Sequence, residues 1–210
     1  MTQNASGSGK VSKRAQAQRE RILAAAQKCF VEYGFHAASM ASISEAAGMS
    51  PGLIYRYFEN KDSIILAIIE RQLEEGRANI AALRADTDLK PGIIDLFRSW
   101  QQNYPDTMSA PLFLEMTVEA SRNPQIAEAL QATDAVIRND FTAWMKRTCA
   151  SNGIHLSDEE VQWRAFSLKC FIEGLAIRAV REPDLDMSVL HNSLKAMLPL
   201  LLPLPDKAGD

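Results

Sequence analysis

An all-α fold is predicted for this chain of 210 residues, and three observations predict it. Apolar residues recur at intervals of three and four along most of the sequence, as on one face of an α-helix. Beyond Pro91 no stretch alternates apolar and polar residues as a strand would. Glycine, proline and capping residues divide the sequence into segments of helical length. Hydrophobic residues make up 47% of the chain, enough for a sizeable core.

The first predicted helix begins near Lys13 and ends at Gly34, because glycine readily adopts the conformation that leaves a helix. Residues 1–12, which include a run rich in glycine, serine and asparagine, are predicted to be a disordered basic arm. One face of the helix is apolar, with residues three and four apart: Ile22, Ala26, Cys29, Phe30 and Tyr33.

Two short helices joined by a tight turn are predicted for residues 39–61. Ser39 caps the first of them, and Gly48 ends it. Ser50 caps the second, in which a proline occupies the first helical position and costs no hydrogen bond. This second helix covers residues 52–58, and together the two predict a helix-turn-helix. Its exposed tyrosines and arginine suit the DNA major groove, which admits one α-helix between two rows of phosphates.

A longer helix follows, capped by Asn60, and runs from about Lys61 into residues 80–84. It is apolar near its start and polar from Glu70 on, so a domain boundary is predicted within it. The predicted domains are the arm 1–12, a helix-turn-helix domain 13–72, a second helical domain 73–205 and a tail 206–210.

Turn signals divide the second domain into further helices. An Asn-Pro pair opens the longest of these, and Ser157 with Glu160 predicts a capping box for the next. The predicted helices cover about residues 91–104, 106–122, 124–152, 158–182 and 186–202.

Charge is distributed unevenly along the chain. The formal net charge is −3, but residues 1–72 hold nine lysines and arginines against six acids. Within residues 10–28, six basic residues are accompanied by one acid, Glu20, and Lys13 and Arg14 are among the six. A solvated helix face would also look like this, but beside a helix-turn-helix the run predicts contact with a phosphate backbone.

Three runs of the sequence carry a resemblance to a known family: RILAAAQKCFVEYGFHAAS (21–39), ISEAAGMS (43–50) and GLIYRYFENKD (52–62). They resemble the DNA-binding domain of the TetR/AcrR family of bacterial transcriptional regulators. The match spans a full domain, and Gly-x-x-Tyr-x-Tyr-Phe followed by Asn-Lys-Asp is its most specific part. The chain departs from the family at Ser42, where an acid is frequent, and at Pro51, where a lysine is frequent.

The resemblance implies a reading helix in the major groove. Leu53 would contact a thymine methyl group, and Arg56 would hydrogen-bond guanine O6 and N7. Gly52 would let the backbone approach closely. The full set of predicted DNA-binding residues is Lys13, Arg14, Ser39, Ser50, Pro51, Gly52, Leu53, Tyr55, Arg56, Tyr57 and Lys61.

A homodimer is predicted because one helix-turn-helix makes few contacts and such proteins bind palindromic operators in double-stranded DNA as two-fold dimers. The segment 161–180 is apolar around most of its circumference, as a helix buried on both faces would be. A central helix of a monomeric core is the competing explanation. The predicted interface residues are Trp163, Phe166, Phe171, Gly174, Ile177, Leu190, Leu194 and Met197.

A small, hydrophobic inducer is predicted to bind among the middle helices. Glu115, Glu119, Gln101 and Asn139 are candidate polar contacts for it. Aromatic and methionine side chains at helical spacing also occur in an ordinary core, and the resemblance is what favours a pocket. The predicted lining residues are Phe97, Trp100, Tyr104, Met108, Phe113, Met116, Phe141, Trp144 and Met145.

An all-α enzyme or a metal-carboxylate bundle is the alternative from another class. Glu115 and Glu119 stand four apart, but the Glu-x-x-His pairs of di-iron bundles, a nucleophile elbow, a phosphate loop and HExxH are absent. We therefore predict no enzymatic activity, catalytic residue, metal or cofactor. A helix-turn-helix activator or nucleoid protein differs from a repressor in promoter geometry, which the sequence does not specify.

No membrane association is predicted, and the expected location is cytoplasmic. Residues 1–20 lack the apolar segment of a signal peptide, and the apolar tail LPLLLPLP is short and broken by prolines. Cys29, Cys149 and Cys170 are widely spaced, which predicts neither a disulfide framework nor a zinc site.

Overall fold

In the computed structural model, residues 5–102 and 109–204 are described, with side chains from residue 13 on. Within these ranges the chain is helical and contains no strand, which confirms the all-α prediction. The helices are α1 (Ala5–Ala37), α2 (Met40–Ala47), α3 (Pro51–Ile54), α4 (Lys61–Ala82), α5 (Leu89–Gln102), α6 (Ala110–Ala120), α7 (Pro124–Ser151), α8 (Asp158–Arg181) and α9 (Met187–Leu201).

The chain divides into two compact units. Unit 1 takes in the chain up to Glu70 together with Glu115–Ala127, and unit 2 takes in Arg71–Leu114 and the chain from Glu128 on. The first boundary falls inside α4, close to the one expected from its change to polar residues. The second falls inside α6, so the end of that helix belongs with α1 to α3, which sequence patterns did not predict.

Unit 1 is built around α1, which packs against α2, while α2 packs against α3. Side chains from four helices fill its interior: Ile22, Phe30, Ile43, Ile54, Ile64 and Ile68 are each at most 1% exposed. Burial of such side chains stabilises a fold by about 1.5–3 kcal/mol each. Tyr33, which we expected on the apolar face of α1, is exposed instead.

Two features of α1 differ from or refine the prediction. Gly34, the residue predicted to end the helix, has a φ of 77° and interrupts it. The chain then forms one further helical turn, which ends at Ala37. At the other end α1 starts at Ala5, so part of the segment predicted to be a disordered arm is helical. No proline occurs between residues 5 and 13 to stop the helix from extending in that direction.

Local capping explains the short helices. The Ser39 side chain accepts a hydrogen bond from the Ser42 N–H at 3.0 Å, and the Ser42 hydroxyl accepts one from the Ser39 N–H at 2.9 Å. A serine therefore completes this capping box in place of an acid. Gly48 ends α2 in the left-handed conformation, with φ 61°. Asn60 caps α4 by accepting the Ser63 N–H at 2.8 Å. Each of these caps is at its predicted position.

Unit 2 has two apolar clusters. The larger joins α5, α8 and α9 and includes Phe97, Leu168, Leu175 and Leu194. The smaller surrounds Trp144, Met145 and Cys149 of α7, against which Val161 of α8 packs. The predicted Ser157 and Glu160 capping box opens α8, and the backbone N–H of Ser157 lowers the pKa of the Glu160 carboxyl.

Candidate nucleic-acid interface and effector region

The segment from Ser50 to Phe58 has one buried side and one exposed side. Ile54 is fully buried and Phe58 is 3% exposed, so both anchor the segment in the core of unit 1. Between them Tyr55 is 56% exposed, and Arg56 is exposed as well. Leu53 and Tyr57 are half-buried, while Ser50, Pro51 and Gly52 are exposed. The predicted reading residues therefore share one accessible surface, together with exposed Ser39 at the start of α2.

The regular helix in this segment is shorter than predicted. α3 ends at Ile54, and the chain continues to Phe58 as a turn, with the N–H groups of Tyr57 and Phe58 donating to the Ile54 carbonyl at 2.8 and 3.0 Å. Ser50 occupies the N-cap position but its side chain makes no capping hydrogen bond, contrary to the prediction. Because the Leu53 N–H already donates to the Ser50 carbonyl at 2.9 Å, the turn forms without the hydroxyl.

Two arginines of α1 contact the residues that flank this segment. The guanidinium of Arg21 donates to the Gly48 carbonyl at 3.4 Å, at the turn between α2 and α3. Arg19 lies over the Phe58 ring, 5.0 Å from its centroid, and pairs with Glu70 at 3.6 Å. These two basic residues therefore position the helix-turn-helix, whereas Lys13 and Arg14 of the same helix are exposed.

Lys61 contacts the end of α1. Its ammonium donates to the Phe35 carbonyl at 2.7 Å and to the His36 carbonyl at 3.1 Å, and it lies 4.7 Å from the centroid of the Phe35 ring. A cation at this point satisfies carbonyls that the end of a helix leaves without partners. The predicted phosphate contact of Lys61 competes with these bonds.

The end of α6 is bound to the same part of α1 by polar contacts that sequence reasoning missed. The Phe35 N–H donates to Glu115 Oε2 at 3.0 Å. His36 Nε2 lies 3.3 Å from Oε2 of Glu119, which is 5% exposed, and 3.4 Å from Arg122 Nη1. Glu115 and Glu119 were expected as polar contacts for a ligand. They bind α1 instead, because the helix is interrupted at Gly34, and the Phe35 N–H and the His36 ring after this interruption face α6.

Two family models account for most of the chain. Residues 22–68 match the bacterial regulatory proteins of the tetR family, and residues 96–203 match the C-terminal domain of BetI-type transcriptional repressors. The chain belongs to the TetR family. Members of this family are transcriptional regulators that bind DNA, and they are not enzymes. The exposed surface formed by Tyr55 and Arg56 agrees with DNA binding.

Named relatives and solved structures agree with this assignment. This TetR-family chain is 34% identical over 143 residues to the HTH-type transcriptional regulator UidR of Escherichia coli (strain K12), covering 66% of this chain and 69% of UidR. The structure of Salmonella enterica GusR superimposes with a TM-score of 0.72 and 28% identity, covering 89% of this chain and 96% of GusR. FadR from Bacillus subtilis, in complex with stearoyl-CoA, shares the fold, with a TM-score of 0.65, 20% identity, and coverage of 87% of this chain and 97% of FadR.

The residues predicted to line an effector pocket in this TetR-family protein divide into several groups. Phe97 is buried in the larger cluster of unit 2, and Trp100, Phe113 and Phe141 pack against it. Trp144 and Met145 belong to the smaller cluster. Met116 is buried and belongs to unit 1. Tyr104 and Met108 lie outside the described residues. Of the other candidate polar contacts, Gln101 donates to the Pro183 carbonyl at 2.8 Å.

The predicted interface residues separate into exposed and buried sets. On α8, Trp163, Phe166 and Ile177 are exposed, Gly174 is half-buried, and Phe171 is half-buried against the larger cluster. On α9, Leu190 and Leu194 are 2% and 0% exposed. Both side chains are enclosed within the single chain, so they expose almost no surface to a second subunit.

Met197 is half-buried in the same cluster as Leu190 and Leu194. The exposed apolar residues of α9 are instead Val189 and Leu200, 51% and 69% exposed. They are eleven positions apart and therefore lie on one face of the helix.

Three further features bear on chemistry. Burial raises the pKa of the Cys29 and Cys149 thiols, which keeps them protonated at neutral pH, whereas Cys170 is exposed. Among the described residues, no group of three or more His, Cys, Asp or Glu side chains could hold a metal ion. No helix in the described part of the chain has the length and apolar character needed to cross a membrane.

Proposed function

We propose that this TetR-family protein is a homodimeric repressor that binds a palindromic operator and is released from it by a small hydrophobic molecule. Residues 13–72 would bind DNA, and residues 73–205 would form the dimer and hold the effector. The observation that carries the proposal is the exposure of Tyr55 and Arg56 on a segment anchored by buried Ile54 and Phe58.

The DNA contacts follow from that surface. Arg56 has no ion-pair partner among the described residues, so its guanidinium is available for bidentate hydrogen bonds to guanine. Half-buried Leu53 would contact a thymine methyl group. The hydroxyls of Ser39, Ser50, Tyr55 and Tyr57 would bind phosphates and set the register.

The dimer is supported by an apolar stripe on the outside of unit 2. Trp163, Phe166, Ile177 and Val180 of α8 are exposed at helical spacing, and Val189 and Leu200 are exposed on α9, which packs against α8. Monomeric proteins rarely expose contiguous apolar surface on this scale. Pairing two copies about a two-fold axis would cover the stripe and set two reading segments about 34–36 Å apart, one turn of DNA.

Effector release is supported by the aromatic content of unit 2 and by the stearoyl-CoA bound to the structurally similar FadR. A ligand that binds one arrangement of the dimer more tightly than the other shifts the population by its differential affinity. Since α4 and α6 each contribute residues to both units, either helix could transmit the change.

Selection of bound fragments from random DNA tests the function directly. We expect enrichment of one inverted repeat and, by sedimentation with a fluorescent operator, two chains per repeat. A random pool with no enriched sequence, or one chain per site, would contradict the proposal. Addition of hydrophobic candidates that bind the protein should then lower operator affinity, and binding without any loss of affinity would contradict the coupling.

A further inference from the structure

A cleft of about 570 Å³ lies in unit 2 between the second half of α4 and the second half of α7. This volume is within the range of small-molecule sites in proteins, about 300–1,000 Å³. None of the residues predicted from sequence to line an effector pocket, apart from Trp144, contributes to it.

The two helices run in the same direction and separate to form the cleft. Gly76 of α4 meets Ile137 of α7 so closely that a Cβ atom at Gly76 would lie 2.7 Å from Ile137 Cδ1. Arg77 bonds Asp140, and Asn152, just after α7, donates to the carbonyl of Ala85, just after α4, at 3.5 Å. The residue numbers of the contacting pairs increase together along both helices, so the two helices are parallel. The residues of α4 that line the cleft flank this close contact, with Glu74 before Gly76 and Arg77 after it.

Charges divide the cleft into two parts. The Arg77 guanidinium bonds the Asp140 carboxylate at 2.9 Å, so the charges of these two groups compensate each other. Glu74 lies one helical turn before this pair, whereas the apolar lining lies after it. That lining consists of Ala78, Ile80, Ala81, Leu83, Ala143 and Trp144.

Arg147 lines the cleft too, about one helical turn after Ala143 and Trp144 on α7. Its side chain is exposed, and it has no ion-pair partner among the described residues. Ile80 and Leu83 rest on the cluster around Trp144, so the apolar lining is fixed to the core of unit 2. The cleft therefore combines an apolar surface that the core supports with the positive charge of Arg147, which no ion pair among the described residues compensates.

We propose that this cleft binds an amphipathic organic carboxylate and is the effector site of the proposed repressor. The carboxylate would accept two hydrogen bonds from the Arg147 guanidinium, a geometry that arginine favours. The apolar body would cover Trp144, Ile80 and Leu83 and be removed from water. The regulatory part of this inference rests on the proposed function, whereas binding of the carboxylate does not.

Calorimetric titration with 4-phenylbutyrate tests the site, with 4-phenyl-1-butanol as the uncharged analogue of the same shape. We expect the acid to bind at millimolar or lower concentration and the alcohol to bind at least about tenfold more weakly. R147Q should weaken binding of the acid by about tenfold or more and leave that of the alcohol unchanged. R138Q is the matched control, since Arg138 is an exposed residue of α7 outside the cleft, and it should bind as the wild type does.

A second variant separates shape from charge. Ala143 is exposed on the cleft wall, so A143W should fill the cleft without disturbing the core and should abolish binding of the acid. Absence of binding to the wild-type protein, equal affinity for the acid and the alcohol, or an unaltered affinity in R147Q would each overturn the site.

Operator affinity measured with and without the acid tests the regulatory part. We expect weaker operator binding in its presence, and an unchanged affinity at saturation would overturn the assignment as effector site. If the wild type selects an inverted repeat but does not bind the acid, the cleft proposal fails and the repressor proposal stands. If no DNA sequence is selected, the repressor proposal fails whatever the calorimetry shows.

Discussion

The backbone N–H of Phe35 donates a hydrogen bond to Glu115 Oε2 at 3.0 Å, although eighty residues separate the two in the sequence. Next to it the Phe35 carbonyl accepts from Lys61, so one residue at the end of α1 is bound by both α6 and α4. Asn123, just after α6, donates to Asp62 of α4 at 3.0 Å and closes the arrangement. The end of α6 is thus part of the unit that carries the reading segment.

Glu115→Ala tests how much this bond stabilises unit 1. Removal of the carboxylate leaves a half-buried N–H without an acceptor, so we expect the free energy of unfolding to fall by about 1–2 kcal/mol. Glu115→Gln keeps an acceptor oxygen and should cost less. Urea denaturation followed by circular dichroism measures both.

Glu128→Ala is the control for this series, because Glu128 is exposed on α7 and has no partner among the described residues. It should change the stability little. If Glu115→Ala were as stable as Glu128→Ala, the bond between α6 and α1 would contribute nothing in solution.

Lys61 is predicted to stabilise α1 more than it contributes to DNA affinity. Lys61→Met keeps the apolar stem but loses two charge-assisted hydrogen bonds and the interaction with the helix end, at a cost of about 1–3 kcal/mol in unfolding free energy. Denaturation together with operator titration over a range of salt concentrations measures both effects. A variant of wild-type stability that bound cognate and random DNA equally poorly would instead assign Lys61 to phosphate binding.

Gly52 allows a test of close approach to DNA without a folding defect. A Cβ atom there would meet nothing within 4 Å, and its φ lies outside the left-handed region, so Gly52→Ala should fold normally and gain about 0.4–1 kcal/mol in stability. If a phosphate lies against this backbone, the methyl group should lower operator affinity by about tenfold.

Gly92→Ala provides a control for Gly52→Ala. Gly92 is also helical with open space at its Cβ position, but it belongs to α5 of unit 2. It should leave operator binding unchanged. Wild-type affinity in the Gly52 variant, measured by fluorescence anisotropy, would show that the backbone does not approach the DNA.

Arg56 is expected to read one base pair. Arg56→Ala should cost about 1–3 kcal/mol on the cognate operator and relax preference at a single position of the selected repeat. Arg56→Lys, which keeps the charge but not the bidentate geometry, should recover affinity more than preference. Binding to a set of operators that differ at one base pair distinguishes these effects. An equal loss on cognate and random DNA would place Arg56 on a phosphate.

Short-range signals predicted most of the fold. The caps at Ser39, Gly48, Asn60 and Ser157 are confirmed because capping joins a side chain to backbone groups within four residues, and the sequence contains all the partners. The exposure of Tyr55 and Arg56, expected for a reading helix, is also found in the structure.

Contacts between distant residues could not be predicted in this way. The positions of Lys61, Glu115 and Glu119 depend on which helices meet, and a single sequence does not specify this. On α9 the apolar residues occupy more than one face, so periodicity could not separate buried Leu194 from exposed Leu200. The missing capping bond of Ser50 shows the same limit, because the following turn is held by backbone hydrogen bonds and by burial of Ile54.

The apolar stripe on α8 leads to a test of the dimer through Phe166, whose side chain is 63% exposed in the single chain. A phenylalanine side chain that stays exposed to water contributes little to the free energy of unfolding, so Phe166→Asn should leave the stability of the isolated subunit nearly unchanged. In a dimer the same ring would be buried at the two-fold contact, and its removal should cost about 2–4 kcal/mol of association free energy, or about thirtyfold or more in the dissociation constant. Val31→Asn is the matched control, because Val31 is likewise an exposed apolar residue, 40% exposed, and it belongs to α1 of unit 1 and not to the stripe. Sedimentation velocity over a dilution series should show the Phe166 variant dissociating at concentrations where the wild type and the Val31 variant remain dimeric.

The operator affinity of the Phe166 variant should fall to the same degree, since two reading segments bind DNA together only while the subunits are joined. A Phe166 variant with wild-type association would mean that the stripe is not the contact between subunits.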